Sequence, residues 1–264
     1  MAETIRYGKL GARRLRLVRK GTSFYGMADG KVCTKGNNPD NVWQRLQDDA
    51  GKSDPRYFGY EGARARFLQF FPDGFHSDSY VSQERGYKLA AKERLDAAAP
   101  LEEAVAGQGF GEAVLGAFRA TNLLSKFEMI RVQELLRGRN ADVFIQASAK
   151  FTKDATKLSL SNLERALKSD ECAKWTVTTY LPHLWLPDAH MFLKPQATND
   201  FAARVGHPFA SLYGARLDLD VYESLLDLAK KTAEELADLA PRDGIDIQSF
   251  IWVVGNYQED QRTV

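Results

Sequence analysis

Ionisable side chains with chemical potential are concentrated between residues 175 and 195, in the stretch WTVTTYLPHLWLPDAHMFLKP. This stretch holds two of the four tryptophans, two of the four histidines and three of the nine prolines of the chain. Asp188, His190 and Lys194 provide a carboxylate, an imidazole and an amine, which can transfer protons or act as nucleophiles. We therefore treat these three residues as candidate catalytic groups.

Aromatic residues of the same stretch allow three interpretations. They are Trp175, Trp185 and Phe192. As core residues they would fill gaps between helices. As a binding surface they would stack on bases, and as pocket walls they would hold a base flipped out of a duplex. The site hypothesis requires Trp185 or Phe192 to share a cleft with the three ionisable residues.

Prolines favour an irregular backbone in the second half of this stretch. Pro182, Pro187 and Pro195 each disfavour helix in the preceding residue. We expect a rigid, irregular segment from Leu181 to Pro195 near the protein surface. Residues 175–181 fit a strand or a helix equally well.

Asp246 is a further candidate acid, because it directly precedes the apolar segment IQSFIWVV. As a helix N-cap it would accept a hydrogen bond from the backbone of Gln248 or Ser249. As a pocket acid it would have a perturbed pKa and a chemical role. We expect the N-cap role.

Basic residues dominate the N-terminal segment although the net charge is only +1. Seven lysines and arginines lie between Glu3 and Asp29 with no acid among them. If RRLRLV is a strand, its arginines and leucines lie on opposite faces. The candidate phosphate-binding residues are Arg13, Arg14, Arg16 and Lys20. The sequence favours the simpler alternative, a solvated face on a half-buried strand.

Hydrophobic periodicity predicts a mainly α protein, a multi-helix globular domain with a small β-hairpin-containing N-terminal lobe. RRLRLV and SFYGM read as strands, and MADGKVCT reads as a hairpin through Asp29-Gly30. NNPDNVWQRLQDDAG reads as a helix capped by Asp40 or Asn41. Beyond the lobe, three-to-four spacing predominates. We predict a lobe over residues 1–75 and a helical domain over residues 76–264.

The most regular predicted helix is DLDVYESLLDLAKKTAEELADLAP. Its apolar stripe, which includes Leu226, Ala229 and Ala233, is expected to pack in the core. Asp220 and Glu223 have the spacing of a capping box.

Several signatures of chemistry are absent from the sequence. There is no Walker A loop, HExxH, paired CxxC or GxSxG motif. The acidic-x-Lys triplet Asp29-Gly30-Lys31 lies on the predicted hairpin turn, and the four histidines lack metal-ligand spacing. We expect no metal and no cofactor. Cys33 and Cys172 are expected to be free thiols.

No apolar run is long enough to cross a membrane, for which about 18 residues are needed. The N-terminal residues contain no apolar signal segment. A cytoplasmic protein without membrane contact is expected.

The segments HMFLKP, residues 190–195, and DIQSFIWVVG, residues 246–255, resemble a pattern found in uncharacterised bacterial proteins. The resemblance extends over about residues 170–256. It implies an association with DNA-directed, restriction-like or phage-defence functions, and therefore DNA as the partner. It implies no role for any residue.

Base excision is the DNA reaction that requires no metal ligands. A metal-independent DNA glycosylase would stack a flipped modified base between Trp185 and Phe192. Asp188 would stabilise the oxocarbenium-like state, and Lys194 would contact phosphate or act as a nucleophile. The alternatives are a non-catalytic nucleic-acid-binding module and a helical protein-interaction scaffold. The base preference and the oligomeric state remain open.

Overall fold

The computed structural model describes residues 2–10, 13–51 and 58–258. Backbone contacts divide the chain into two compact units. The first unit comprises Met1–Arg66 and Gln196–Tyr213, and the second comprises Phe67–Pro195 and Gly214–Val264. The prediction of a mainly helical protein with a hairpin-containing N-terminal lobe is confirmed.

Four strands and a succession of helices make up the described chain. The strands are β1 (Glu3–Leu10), β2 (Arg13–Lys20), β3 (Ser23–Ala28) and β4 (Lys31–Gly36). The first helices are α1 (Pro39–Gly51), α2 (Gly59–Phe70), α3 (Asp78–Tyr80), α4 (Gly86–Ala98), α5 (Leu101–Ala104), α6 (Gly111–Arg119), α7 (Lys126–Arg137) and α8 (Ala141–Lys153). The later helices are α9 (Lys157–Lys168), α10 (Trp175–Thr178), α11 (Tyr180–Trp185), α12 (Pro195–Arg204), α13 (Phe209–Leu212), α14 (Leu219–Glu235) and α15 (Gly244–Asn256). A π-helical turn, Val81–Arg85, separates α3 from α4.

The strands of the first unit form one antiparallel sheet in the order β1-β2-β3-β4. The predicted hairpin is confirmed, with Asp29 and Gly30 at φ values of 50° and 84°. Positive φ at both central residues gives a turn whose twist matches that of the flanking strands. Strand β1 is not indicated by the sequence, because its residues do not alternate between apolar and polar types.

Helix α1 packs on one face of this sheet. The core between them is formed by residues of the strands and of α1: Leu10, Leu15, Leu17, Ala28, Val42, Trp43, Leu46 and Ala50. The helix begins one residue after Asn38, whose side chain accepts a hydrogen bond of 3.0 Å from the backbone of Asn41. The predicted cap at Asp40 or Asn41 is therefore wrong. Pro39 supplies a first helical residue that needs no backbone donor.

The second unit is helical around an aromatic core. Its rings include Phe67, Phe71, Phe75, Tyr80 and Phe250, with centroid separations of 4.7–6.3 Å. Within the described ranges, no helix combines the length and hydropathy needed to cross a membrane.

The segment rich in prolines differs from its prediction. It remains helical through Trp185, because Pro182 lies in the first turn of α11, where a backbone donor is not required. The irregular run begins at Leu186 and is not confined to the surface. Phe192 and Leu193 are fully buried, and the backbone of Leu193 donates to the Thr179 hydroxyl at 2.9 Å. The buried irregular backbone is tolerated because such polar groups find partners.

Candidate functional site

The three aromatic candidates lie in the core of the second unit. Trp185 is 2% exposed and donates its indole N–H to the carbonyl of Ala99 at 3.0 Å. Trp175 is equally buried and donates to the carbonyl of Gly214 at 2.8 Å. Phe192 is completely buried. These rings are therefore not accessible for stacking on a base.

Asp188 and His190 line a common cavity of about 450 Å³. The cavity exists because Leu226, Ala229 and Ala233 of α14 line it and do not pack in the core as predicted. Two of these three side chains are single methyl groups, which leave space between α14 and the start of α15. Asp188 is exposed at this cavity.

The imidazole of His190 is held in one tautomer. Its Nε2 lies 2.8 Å from the carbonyl of Thr152, so Nε2 carries the proton and donates. Its Nδ1 then accepts from the Tyr222 hydroxyl at 2.6 Å. Burial lowers the pKa of His190. The ring is therefore neutral and has both nitrogens engaged, which suits a structural residue and not a general base.

Lys194 is not among the residues that line this cavity. Its ammonium group donates to the carbonyl of Leu123 at 2.6 Å and lies 5.8 Å from the centre of the Trp252 ring. Burial lowers its pKa, and the nearby Glu128 carboxylate opposes that effect. Among the catalytic candidates, the structure thus brings together Asp188 and His190, and separates them from Lys194 and from the aromatic rings.

Asp246 is fully buried and belongs to an ionic cluster. Its carboxylate accepts from the Tyr80 hydroxyl at 2.7 Å, from Arg85 at 2.9 Å and from Arg242 at 2.9 Å. The predicted N-cap role is wrong, because Asp243 caps α15 by accepting from the backbone of Ile245 and of Asp246. Asp243 has the extended backbone that an N-cap requires, whereas Asp246 lies within the first turn.

The remaining members of this cluster are also paired. Arg85 forms a bidentate pair with Asp243 at 2.8 and 2.7 Å. Lys88 donates to Glu84 at 2.9 Å and to Ser249 at 2.7 Å. A lysine beside a serine hydroxyl is one arrangement that activates a nucleophile. Here Lys88 is 1% exposed and Ser249 is not exposed at all, so no substrate reaches them. The cluster is structural.

Gly244 sets the close contact between the run 187–190 and the start of α15. A Cβ atom at Gly244 would lie 2.5 Å from the carbonyl oxygen of Pro187 and 3.0 Å from that of His190. We expect Gly244→Ala to lower the free energy of unfolding by about 1–3 kcal/mol, because backbone atoms must shift. Gly255→Ala in the same helix is the control, since its Cβ would meet nothing within 4 Å. Urea unfolding of both variants checks this, and equal midpoints would contradict it.

The face of the sheet that is turned away from α1 carries the basic residues. The register places Tyr7, Arg16 and Met27 side by side on β1, β2 and β3, and Lys9 beside Arg14. We call these five residues the open sheet face. Arg14 and Arg16 are exposed while Leu15 and Leu17 are buried against α1, as their alternation predicts. Lys20 is exposed but lies beyond Val18, which is only 5% exposed.

The arginines of β2 differ in their ion pairing. Arg13 pairs with Asp29 at 2.6 Å and Arg19 with Glu3 at 2.7 Å. Within the described ranges, no carboxylate lies within ion-pair distance of Arg14 or Arg16. The backbone N–H of Arg14, and not its guanidinium, donates to Asp29. Of the four predicted phosphate ligands, the structure therefore leaves Arg14 and Arg16 together and uncompensated.

A hollow of about 690 Å³ opens on the same face. It is lined by parts of β1, β2, β3 and the hairpin turn, including Tyr7, Arg14, Arg16, Met27 and Asp29. Tyr7 is 73% exposed. Asp29 is the acid at its rim, where the Arg14 backbone and then the Arg13 guanidinium lower its pKa.

The sequence interpretation missed Tyr7, Lys9 and Met27. The available signal was the basic run itself, which needs partner strands to present two arginines on a surface. Tyr7 and Met27 join Arg16 only through the register of three strands. The described residues contain no group of three histidine, cysteine or acidic residues placed to hold a metal ion.

Comparison with known proteins found no matching family model, no matching curated protein and no matching solved structure.

Proposed function

We propose that the protein binds nucleic acid, in particular DNA, through the open sheet face. The observation that carries this proposal is the pair of uncompensated arginines, Arg14 and Arg16, beside Lys9 on one exposed surface. Cationic side chains without acidic partners bind phosphate by releasing condensed counterions. An exposed tyrosine in the same surface adds a plane on which a base can stack.

The opposite face of the sheet provides an internal comparison. There, Arg6 pairs with Asp40 at 3.1 Å and Arg19 pairs with Glu3 at 2.7 Å. Had the basic run served only to solvate the strand, similar compensation would be expected on both faces. The unequal pairing supports a ligand with negative charge on the open face.

The proposal does not extend to base excision. A glycosylase must hold a flipped base between accessible planar walls. Trp185 and Phe192, the residues expected to form those walls, are at most 2% exposed. The proposal is therefore binding, and no catalytic role is assigned to Asp188, His190 or Lys194.

The test compares wild type with the double variant Arg14→Ala/Arg16→Ala. The probes are fluorescent single-stranded DNA, duplex DNA and single-stranded RNA, each longer than the site sizes of about 4–16 nucleotides that are common for such surfaces. We expect the double variant to bind the preferred probe on the order of a hundredfold more weakly, since two charge-assisted contacts are lost. The slope of log K against log salt should fall by about 2 for two phosphate contacts.

Arg19→Ala is the matched control. Arg19 lies on the same strand but is ion-paired with Glu3 on the other face. Its removal should change affinity by less than about threefold, in line with the small effect of an exposed ion pair. Wild-type protein that binds none of the probes at low salt would overturn the proposal. Equal affinities of wild type and the double variant, both with native circular dichroism, would do the same.

A further inference from the structure

The guanidinium of Arg16 has unused donors in a defined setting. Its one recorded contact is with the sulfur of Met27 at 4.0 Å. A guanidinium carries five N–H donors in a planar fork. Arg16 lies in the middle of the row Tyr7–Arg16–Met27, so its fork has an aromatic residue on one side and a thioether on the other. This setting suits a planar, partly apolar ligand with two neighbouring acceptors better than it suits an isolated phosphate.

Tyr7 limits the form of nucleic acid that this surface accepts. Adjacent strands are about 4.8 Å apart, so the ring of Tyr7 and the fork of Arg16 lie on neighbouring strands at the rim of one hollow. In a duplex the faces of the bases are stacked on each other, and only their edges are accessible. A ring that is 73% exposed has a stacking partner only when a base leaves its stack, as in a single strand.

The charge of the face agrees with a short single-stranded site. Lys9, Arg14 and Arg16 are contiguous, and the face is covered at Val18 beyond them. Two of these cations, Lys9 and Arg14, lie about 7 Å from the Tyr7–Arg16 row along the strands. They are placed to contact the phosphates that flank a base held by Tyr7 and Arg16.

We propose that the open sheet face binds single-stranded nucleic acid and selects guanine, which stacks on Tyr7 while Arg16 donates to its O6 and N7 atoms. Of the four bases, guanine presents two adjacent acceptors that match an arginine fork. Lys9 and Arg14 contact the flanking phosphates. This inference rests on the proposed function and specifies its ligand.

The experiment measures affinity for a thymidine oligonucleotide of about ten residues with one central variable base. With wild-type protein, guanine should bind roughly 5- to 150-fold more tightly than adenine or thymine at that position. Replacing guanine with 7-deazaguanine, which lacks the N7 acceptor, should remove most of this preference. The RNA counterpart of each probe distinguishes a deoxyribose ligand from a ribose ligand.

Substitutions separate the three roles. Arg16→Ala should bind all bases with similar affinity and should not distinguish guanine from 7-deazaguanine. Arg14→Ala should weaken binding to every probe by a similar factor and keep the preference. Tyr7→Ala should lose roughly 5- to 150-fold for every base, whereas Tyr7→Phe, which keeps the ring, should bind as wild type does.

The outcomes distinguish this inference from the proposed function. Duplex DNA bound as tightly as the single strand, or equal affinity for all central bases, overturns the inference while leaving nucleic-acid binding by this face intact. Tyr7→Ala with wild-type affinity also overturns it. Absence of binding to every nucleic-acid probe overturns both.

Discussion

Replacing Asp246 with alanine is expected to lower the free energy of unfolding by about 3–5 kcal/mol, because it leaves buried charges without their partner. Asp246 is completely buried and accepts hydrogen bonds from Tyr80, Arg85 and Arg242. Without its carboxylate, Arg85 retains Asp243, but the Tyr80 hydroxyl loses its 2.7 Å acceptor. An unsatisfied buried donor alone costs about 1–3 kcal/mol.

The measurement is urea unfolding of the full chain at pH 7 by linear extrapolation. Asp188→Asn is the control, because Asp188 is an exposed acid of the same unit. It should change stability by no more than about 0.5 kcal/mol. Tyr80→Phe, which removes only one donor, should fall between the two. A loss below about 1 kcal/mol for Asp246→Ala would show that the cluster does not hold the helices together.

Acidification from pH 7 to pH 5 is expected to destabilise the protein through His183. This residue is fully buried, and burial is the main reason that its pKa is lowered to about 4. In the unfolded chain a histidine titrates near pH 6.5. Between these two values the unfolded state binds a proton that the folded state does not, so stability falls as the pH falls. The stabilisation is present in full above about pH 6.5.

The full contribution of His183 corresponds to about 3 kcal/mol, lost progressively as the pH falls from about 6.5 towards 4. His190 acts in the same direction, since burial also lowers its pKa. The carboxyls with lowered pKa values, Asp243 and Glu128, lose their contributions only at lower pH, where unfolded acids begin to be protonated. The interval between pH 6.5 and 5 therefore reports mainly on the buried histidines.

His183→Gln tests this assignment. The Nδ1 of His183 donates to the carbonyl of His190 at 3.2 Å, and the glutamine amide is also a donor. The variant should have a flatter dependence of unfolding free energy on pH between 7 and 5, whatever its stability at pH 7. His76→Gln is the control, because His76 is exposed. If wild type and His183→Gln lose stability in parallel on acidification, the assignment to His183 is refuted.

The elements set by local periodicity were predictable from the sequence. Alternation in RRLRLV placed Arg14 and Arg16 on one face, and Asp29-Gly30 indicated the hairpin, because neighbouring residues alone determine both features. Helix starts were less predictable. At α14 the cap is Asp218 and not Asp220, and at α15 it is Asp243 and not Asp246. Several acids competed for each cap, and the backbone conformation selected one of them.

The candidate site depended on contacts that the sequence does not encode locally. Trp185 and Phe192 are next to Asp188 and His190 along the chain, yet their rings are buried in the core while Asp188 is exposed at a cavity. Conversely, Tyr7 and Arg16 are nine positions apart and become neighbours through strand pairing. Composition and periodicity determined that this chain is mainly helical and begins with a basic hairpin lobe. Only the tertiary structure decided which charges are neutralised and which are exposed, because ion pairing and burial depend on residues that are distant in sequence.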